Sequence, residues 1–400
     1  MRAEPPPARL LDLSRTVSRA GRRPTGVDRV ERAYLDHLSR ADDAPLWGLV
    51  RTGAGFLLLD PGGVAAIRDR LDGPGWDVPG LAARLMRRGD PDRAGAEDTV
   101  RRRAVGRALP GGLGRLLRRH LPRGTRYVNV GHTALSDRLL VGLTEAEARI
   151  AMMIHDTIPL DWPDHQRPGT PDRFAHLLHR AERHADLLIA NSKATADDIA
   201  RHLDTLPDTL VAHLGIDPPR PGTAPSGPWS DRPYLVTVGT IEPRKNHAFL
   251  LDLWEEMGAD APPLLILGAR GWENHATFAR LDAGPPGIHE LNGLDDGALF
   301  ALVAGSAGLL FPSLAEGYGL PLLEAAALGV PVVCSDLPVF REIATGFPIY
   351  APLSEHYLWT KAIRRLIAEA AAPGTGAPGQ RTGITPPSWR AHFDTVLARI

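Results

Sequence analysis

The chain is expected to fold as an α/β protein of two domains, each a doubly wound sheet flanked by helices. Three observations predict this. Its 400 residues exceed what one hydrophobic core usually serves. Short apolar runs alternate with segments of helical period in both halves, the pattern of βαβ units. Between the halves, proline and glycine thicken over residues 217–233, from Pro218 and Pro219 through Gly222 to Pro233, as in an interdomain linker.

In chain order, the first half offers strands at 10–14, 46–50, 126–130, 148–154, 185–190 and 210–214. Helices are expected at 25–39, 172–184 and 193–203. Strands separated by helices imply parallel pairing. Over 61–125 the pattern dissolves into Gly, Pro and Arg, and this stretch reads as a solvated insertion with a helix or two. A sharper reading takes 113–121, where Arg115, Arg118 and Arg119 accompany Leu113, Leu116, Leu117 and Leu121, as a basic amphipathic helix. Such a helix could touch an anionic membrane surface or a phosphate-bearing acceptor. In the second half, strands at 234–238, 264–267, 287–291, 308–311 and 330–333 alternate with helices at 246–257, 295–304, 320–327 and 338–344. Residues 371–387 return to Gly, Pro and Thr, leaving a terminal helix beyond them. The expected division is a first domain 1–222, a second 223–385, and a helix within 386–400 that could pack back on the first.

The 46 basic residues nearly balance 47 acidic ones, which gives no reason to expect a nucleic-acid partner. The single cysteine, Cys334, lies in the apolar run 330–334 and reads as a buried core thiol. Together with the lack of an apolar signal-peptide core or of ~18 uncharged apolar residues in a row, this points to a reducing, cytoplasmic setting. Contact with the inner membrane face would come through the basic insertion. No G-x-G-x-x-G or G-x-x-x-x-G-K-[ST] string ends a strand, so dinucleotide oxidoreduction and P-loop hydrolysis lack their phosphate cradle. No Cys/His cluster has zinc spacing. The sole Asp-x-Asp string, Asp90-Pro91-Asp92, lies in the insertion without a strand to present it, so no metal is expected.

Open parallel sheets bind ligands beyond the carboxyl ends of their strands, where helix N-termini favour anions. Two loops of the second half carry suitable chemistry. The strand at 234–238 is followed by Gly239, Thr240, Ile241, Glu242, Pro243, Arg244, Lys245 and Asn246. Arg244 gives a planar fork and Lys245 a point charge, suited to two phosphates at once, although either could be an ordinary solvated cation. After 308–311 comes a loop with Glu316, Gly317, Tyr318, Gly319 and Leu320, then Pro321 in a first helical turn and Glu324 one turn inside. Either acid alone would read as a surface residue. Their joint spacing with two glycines after a strand brackets a helix start where a diphosphate could sit.

These residues resemble the donor site of the family 4, or group 1, glycosyltransferases of GT-B fold. The likeness is clearest over 234–342. It implies a retaining hexosyltransferase with two Rossmann-like domains and an interdomain cleft. A nucleoside diphosphate sugar would be held mainly by the second domain, including Gly239, Thr240 and the 317–320 backbone, with no metal or other cofactor. By that resemblance Arg244 and Lys245 grip the diphosphate, Glu316 contacts the transferred sugar and Glu324 the ribose. In the first half, His155-Asp156-Thr157-Ile158-Pro159 resembles the loop whose histidine lines the sugar site, against the alternative of a core histidine. Asn191-Ser192 resembles the family's Asn-Ser turn, against the alternative of a helix cap. Pro24 to Val30 resembles the glycine loop after the first strand, with Gly26 alone where many relatives carry a pair; Gly26 could contact donor or acceptor, or merely make a turn. The 239–246 run resembles that of mannosyl transferases, which favours a GDP-linked sugar, and bacterial relatives commonly pass it to a glycan or lipid-linked acceptor in polysaccharide synthesis. A catalytically silent sugar-nucleotide-binding subunit and a nucleotide-sugar epimerase of the same architecture are the rival readings.

Overall fold

The computed structural model describes residues 7–73, 75–80, 90–272, 274–372 and 384–400. Eight strands form the first sheet: β1 (Arg9–Asp12), β2 (Leu46–Thr52), β3 (Gly55–Leu59), β4 (Gly106–Ala108), β5 (Arg126–Asn129), β6 (Arg149–Ile154), β7 (Leu187–Ala190) and β8 (Thr209–Val211). Their order is β4-β3-β2-β1-β5-β6-β7-β8. The second sheet holds β9 (Leu235–Val238), β10 (Leu264–Leu267), β11 (Ile288–Leu291), β12 (Gly308–Phe311), β13 (Val332–Cys334) and β14 (Ile349–Tyr350) in the order β11-β10-β9-β12-β13-β14, all parallel. Runs such as Leu264-Leu265-Ile266-Leu267 are buried along their whole length, as strands covered on both faces must be. Each sheet reverses its order at one place, beside β1 in the first and β9 in the second. The loops after β1, β5, β9 and β12 therefore open at switch points.

The strand expected at 10–14 ends at Asp12, because the Asp12 carboxylate accepts the Ser14 N–H at 2.9 Å and turns the chain into helix Ser14–Ser18. The first sheet is not wholly parallel: β2 and β3 form a hairpin around Gly53, and β4 pairs antiparallel with β3. Nor do the described residues of 61–125 form a solvated insertion. Helices Pro61–Asp72, Pro91–Arg103 and Leu113–His120 all bury residues in the first domain, including Val64, Ile67, Ala96 and Val100. Asp60 and Asp90 are the N-caps of the first two, each before a proline in the first turn, so Asp90 serves a helix start. Leu113, Leu116 and Leu117 face the core beside Leu139 and Leu140, which leaves the arginines outside and no apolar face for a membrane. Among the arginines of this stretch, Arg84, Arg87 and Arg88 lie outside the described residues. No helix among the described residues is long and apolar enough to cross a membrane.

Helix Gly26–Leu38 starts from a capping box, in which Thr25 Oγ1 accepts the Asp28 N–H and Asp28 accepts the Thr25 N–H at 2.7 Å. It buries Val30, Tyr34, Leu35 and Leu38 along one stripe. Helix Trp389–Leu397 lies on it: Phe393 stacks on His37 at 3.8 Å, and Tyr34 Oη meets His392 Nε2 at 2.8 Å. Cys334 is fully buried in β13, and burial pushes its thiol well up.

Candidate active site

A single turn, Pro243–Lys245, follows β9 and is closed by Asn246 in the left-handed region (φ 55°), which sends both cations toward the carboxyl end of the sheet. Arg244 Nε lies 2.7 Å from Glu242, and its Nη1 donates to Glu316 at 3.0 Å and to the Ala315 carbonyl at 3.3 Å. Lys245 Nζ donates to Glu316 at 2.5 Å and stands 4.6 Å from the centre of the Phe311 ring. The loops after β9 and β12 are tied by a hydrogen bond from Leu314 N to Arg244 O. Gly239, at φ 137°, leaves room for the lysine stem, since a Cβ there would stand 3.3 Å from Lys245 Cε.

Glu316 thus sits on two cations and accepts a third bond from Ser313 Oγ at 2.6 Å. Burial alone would raise its carboxyl, yet Lys245 and Arg244 outweigh burial and bring it down to about 2. It is an anion at any working pH. Beyond it, Gly319 (φ 111°) begins helix Leu320–Ala327, and no side chain caps that helix start.

The first domain meets this edge closely. A Cβ on Gly317 would come 2.6 Å from the His155 carbonyl, so that glycine marks a close approach across the cleft, whereas one on Gly26 would make only ordinary contact with Leu320 Cδ1 at 3.5 Å. His155 is 6% exposed, and its Nε2 donates to the Val130 carbonyl at 2.7 Å. Burial lowers its imidazole to about 4, and that of His132, 5.0 Å away, to about 3, so both are neutral at pH 7. His132 holds a left-handed backbone (φ 56°), a strained conformation of the kind that clusters at functional sites. Asp156 stands beside Gly317, its carboxyl raised by burial against the pull of Arg244.

Residues 232–369 match the family described as glycosyl transferases group 1. Over that segment the chain resembles the group 1 glycosyltransferases. It is 33% identical over 224 residues to the serotype-specific mannosyltransferase WbdA of Escherichia coli, a match over 50% of this chain and 27% of that protein. With the O-antigen chain mannosyltransferase B of Escherichia coli it shares 36% over 115 residues, 28% of this chain and 30% of the other. The chain spans less than a third of the length of these curated relatives. The crystal structure of Anabaena Alr3699/HepE in complex with UDP and glucose superposes with a TM-score of 0.60 at 15% identity, covering 98% of this chain and all of that one. That likeness shows the GT-B fold.

The residues expected at the donor site do not all converge. Arg244, Lys245 and Glu316 form one cluster, with Gly239 giving the lysine backbone room, Gly317 packed against the His155 loop, Gly319 against Phe340, and Thr240 exposed. Glu324 is buried on the same helix start but is held across the cleft by Arg29 at 2.5 Å. The Tyr318 side chain points away from the donor site, because its hydroxyl donates to the Leu214 carbonyl at 2.8 Å in the chain leading to the linker. Asn191 neither caps a helix nor faces the cleft with its amide nitrogen: Nδ2 donates to the His155 carbonyl at 2.8 Å, and Ser192 is the cap. Gly26 is the first residue of its helix, set against Leu320. Arg29, Ser313, Asp156 and His132 were not among the expected site residues. Asp156 and Arg29 stand inside the stretches 155–159 and 24–30 named above, and Ser313 in the loop after 308–311; His132 carried no local signal.

Proposed function

We propose that the chain transfers a hexose, with retention and without a metal, from a nucleoside diphosphate sugar to a hydroxyl of a growing glycan. The observation that carries this reading is the anionic Glu316 fixed by Arg244 and Lys245 at an uncapped helix start, with the His155 loop of the other domain closing over it. Both cations keep donors for a ligand. Arg244 Nη2 has no partner among the described residues, and the Lys245 ammonium has three protons for one acceptor among them, Glu316. These donors, with the free N–H groups near Leu320, can hold the diphosphate as it gathers charge on leaving.

A carboxylate held at about 2 is a poor general base, so Glu316 suits accepting hydrogen bonds from the sugar hydroxyls and keeping the ring in place. Neutral His155, with Nε2 committed to Val130, offers Nδ1 as a further acceptor. The reading is front-face attack, the departing diphosphate taking the acceptor proton. The mannosyltransferases among the relatives make GDP-mannose the first donor to test, and their O-antigen names make a polysaccharide chain the first acceptor. With such a donor panel, Glu316→Gln and Arg244→Ala are expected to lower kcat at least ~100-fold while circular dichroism stays native. Unchanged turnover in both variants would remove the assignment, and donor binding without any turnover by the parent would leave a silent binding subunit.

A further inference from the structure

Outside the donor cluster, a cavity of about 590 Å³ opens between helix Gly26–Leu38, the insertion and helix Trp389–Leu397. Its size falls within the ~300–1,000 Å³ of small-molecule sites. Asp28 and Arg29 belong to its wall, and Arg29 reaches Glu324, so the cavity begins where the cleft ends.

The wall chemistry selects the ligand class. Trp76 and Trp389 are half-buried on it, and Trp389 stacks on Phe393 at 5.8 Å, so aromatic rings make up part of the wall. The faces of such rings pack against the C–H side of a pyranose. Asp36 also lines it: Oδ2 accepts from Arg32 Nε at 2.9 Å, whereas Oδ1 is buried with no partner. The Asp36 side chain is 27% exposed on this wall, so Oδ2, holding one bond from Arg32, can accept a second from a sugar hydroxyl. Arg19, Arg29 and Arg32 are already paired with Asp28, Glu324 and Asp36, and Asp72 and Asp217 set negative charge against Arg22 and Arg40 on the same wall, which disfavours a phosphate here.

We infer that this cavity binds a neutral saccharide unit of the acceptor glycan, beyond the unit whose hydroxyl reacts; as an acceptor subsite it rests on the transferase reading. The test is equilibrium binding of a fluorescently labelled mannose tetrasaccharide, without donor, to the full chain and to Trp76→Ala and Asp36→Ala. Binding by the parent and a loss of about tenfold in each variant is expected, with the thermal shift by nucleoside diphosphate unchanged. In transfer assays KM for the tetrasaccharide should rise with kcat kept, while KM for a single mannoside stays. If Trp76→Ala fails to fold, Asp36→Ala carries the test. No tetrasaccharide binding by the parent, or parental affinity in the folded variants, overturns the inference. Tetrasaccharide binding that the variants lose, in a parent that turns over no donor, upholds the cavity and removes the transferase reading instead.

Discussion

Glu31 is 2% exposed, with the Thr16 hydroxyl donating to it at 2.7 Å. Burial pushes its carboxyl up to about 8, against the pull of that hydrogen bond. The folded protein therefore keeps a proton that the unfolded chain releases near 4.5. This contribution is complete below about pH 4.5 and is lost as pH rises through 8. Glu31→Gln mimics the protonated acid, so its thermal midpoint should gain on the parent steadily from pH 5 to pH 8; parallel melting curves over that range would contradict the assignment. His155 works the other way. Its folded value near 4 lies below the ordinary 6.5, so its contribution is present above pH 6.5 and falls as pH drops through 4. His155→Gln should flatten the acid limb of stability measured by urea titration between pH 7 and pH 4. At this scale the sequence disclosed those partners that lie in loops directly after strands, such as Glu316 and Arg244. It did not disclose Arg29, whose partner Glu324 is 295 positions away, because no local pattern records a contact made only when two domains meet.

Helix Leu113–His120 looks from its sequence like a strip for a lipid surface, with arginines along one side and leucines along the other. The same pattern describes a helix on the outside of a domain, and only the neighbouring leucines of Asp137–Glu145 decide between the two. Leu117→Ala should therefore cost about 2–5 kcal/mol of folding stability by chemical denaturation. A stability within the error of the parent would mean that the leucine face is not part of the core. Helix Pro91–Arg103 was illegible for a different reason. It packs through Ala94, Gly95 and Ala96, and small residues leave no hydrophobic period to count. The second sheet, by contrast, could be read almost strand for strand, since strands such as Leu264–Leu267 and Gly308–Phe311 are short apolar runs between glycine- and proline-rich loops.

The two domains are held by a carboxylate clamp as well as by the linker. Glu342 of the second domain accepts the N–H groups of Lys193 and Ala194, at 2.6 and 3.0 Å, on a helix start of the first, and bonds His213 at 2.7 Å. Thr195 Oγ1 adds a bond to the Gly317 carbonyl at 3.3 Å. Glu342→Ala should widen the cleft, seen as a larger radius of gyration by small-angle X-ray scattering, and lower kcat/KM about tenfold, with melting of each domain retained. An unaltered scattering profile would show that the clamp does not set the closed state. The shut-in sulfur of Cys334, the sole thiol of the chain, makes such motion easy to film. Maleimide dyes will pass it by, so cysteines engineered at outward-facing Val141 and Tyr357, one on each domain, can carry a donor and acceptor fluorophore whose energy transfer follows the cleft as it breathes.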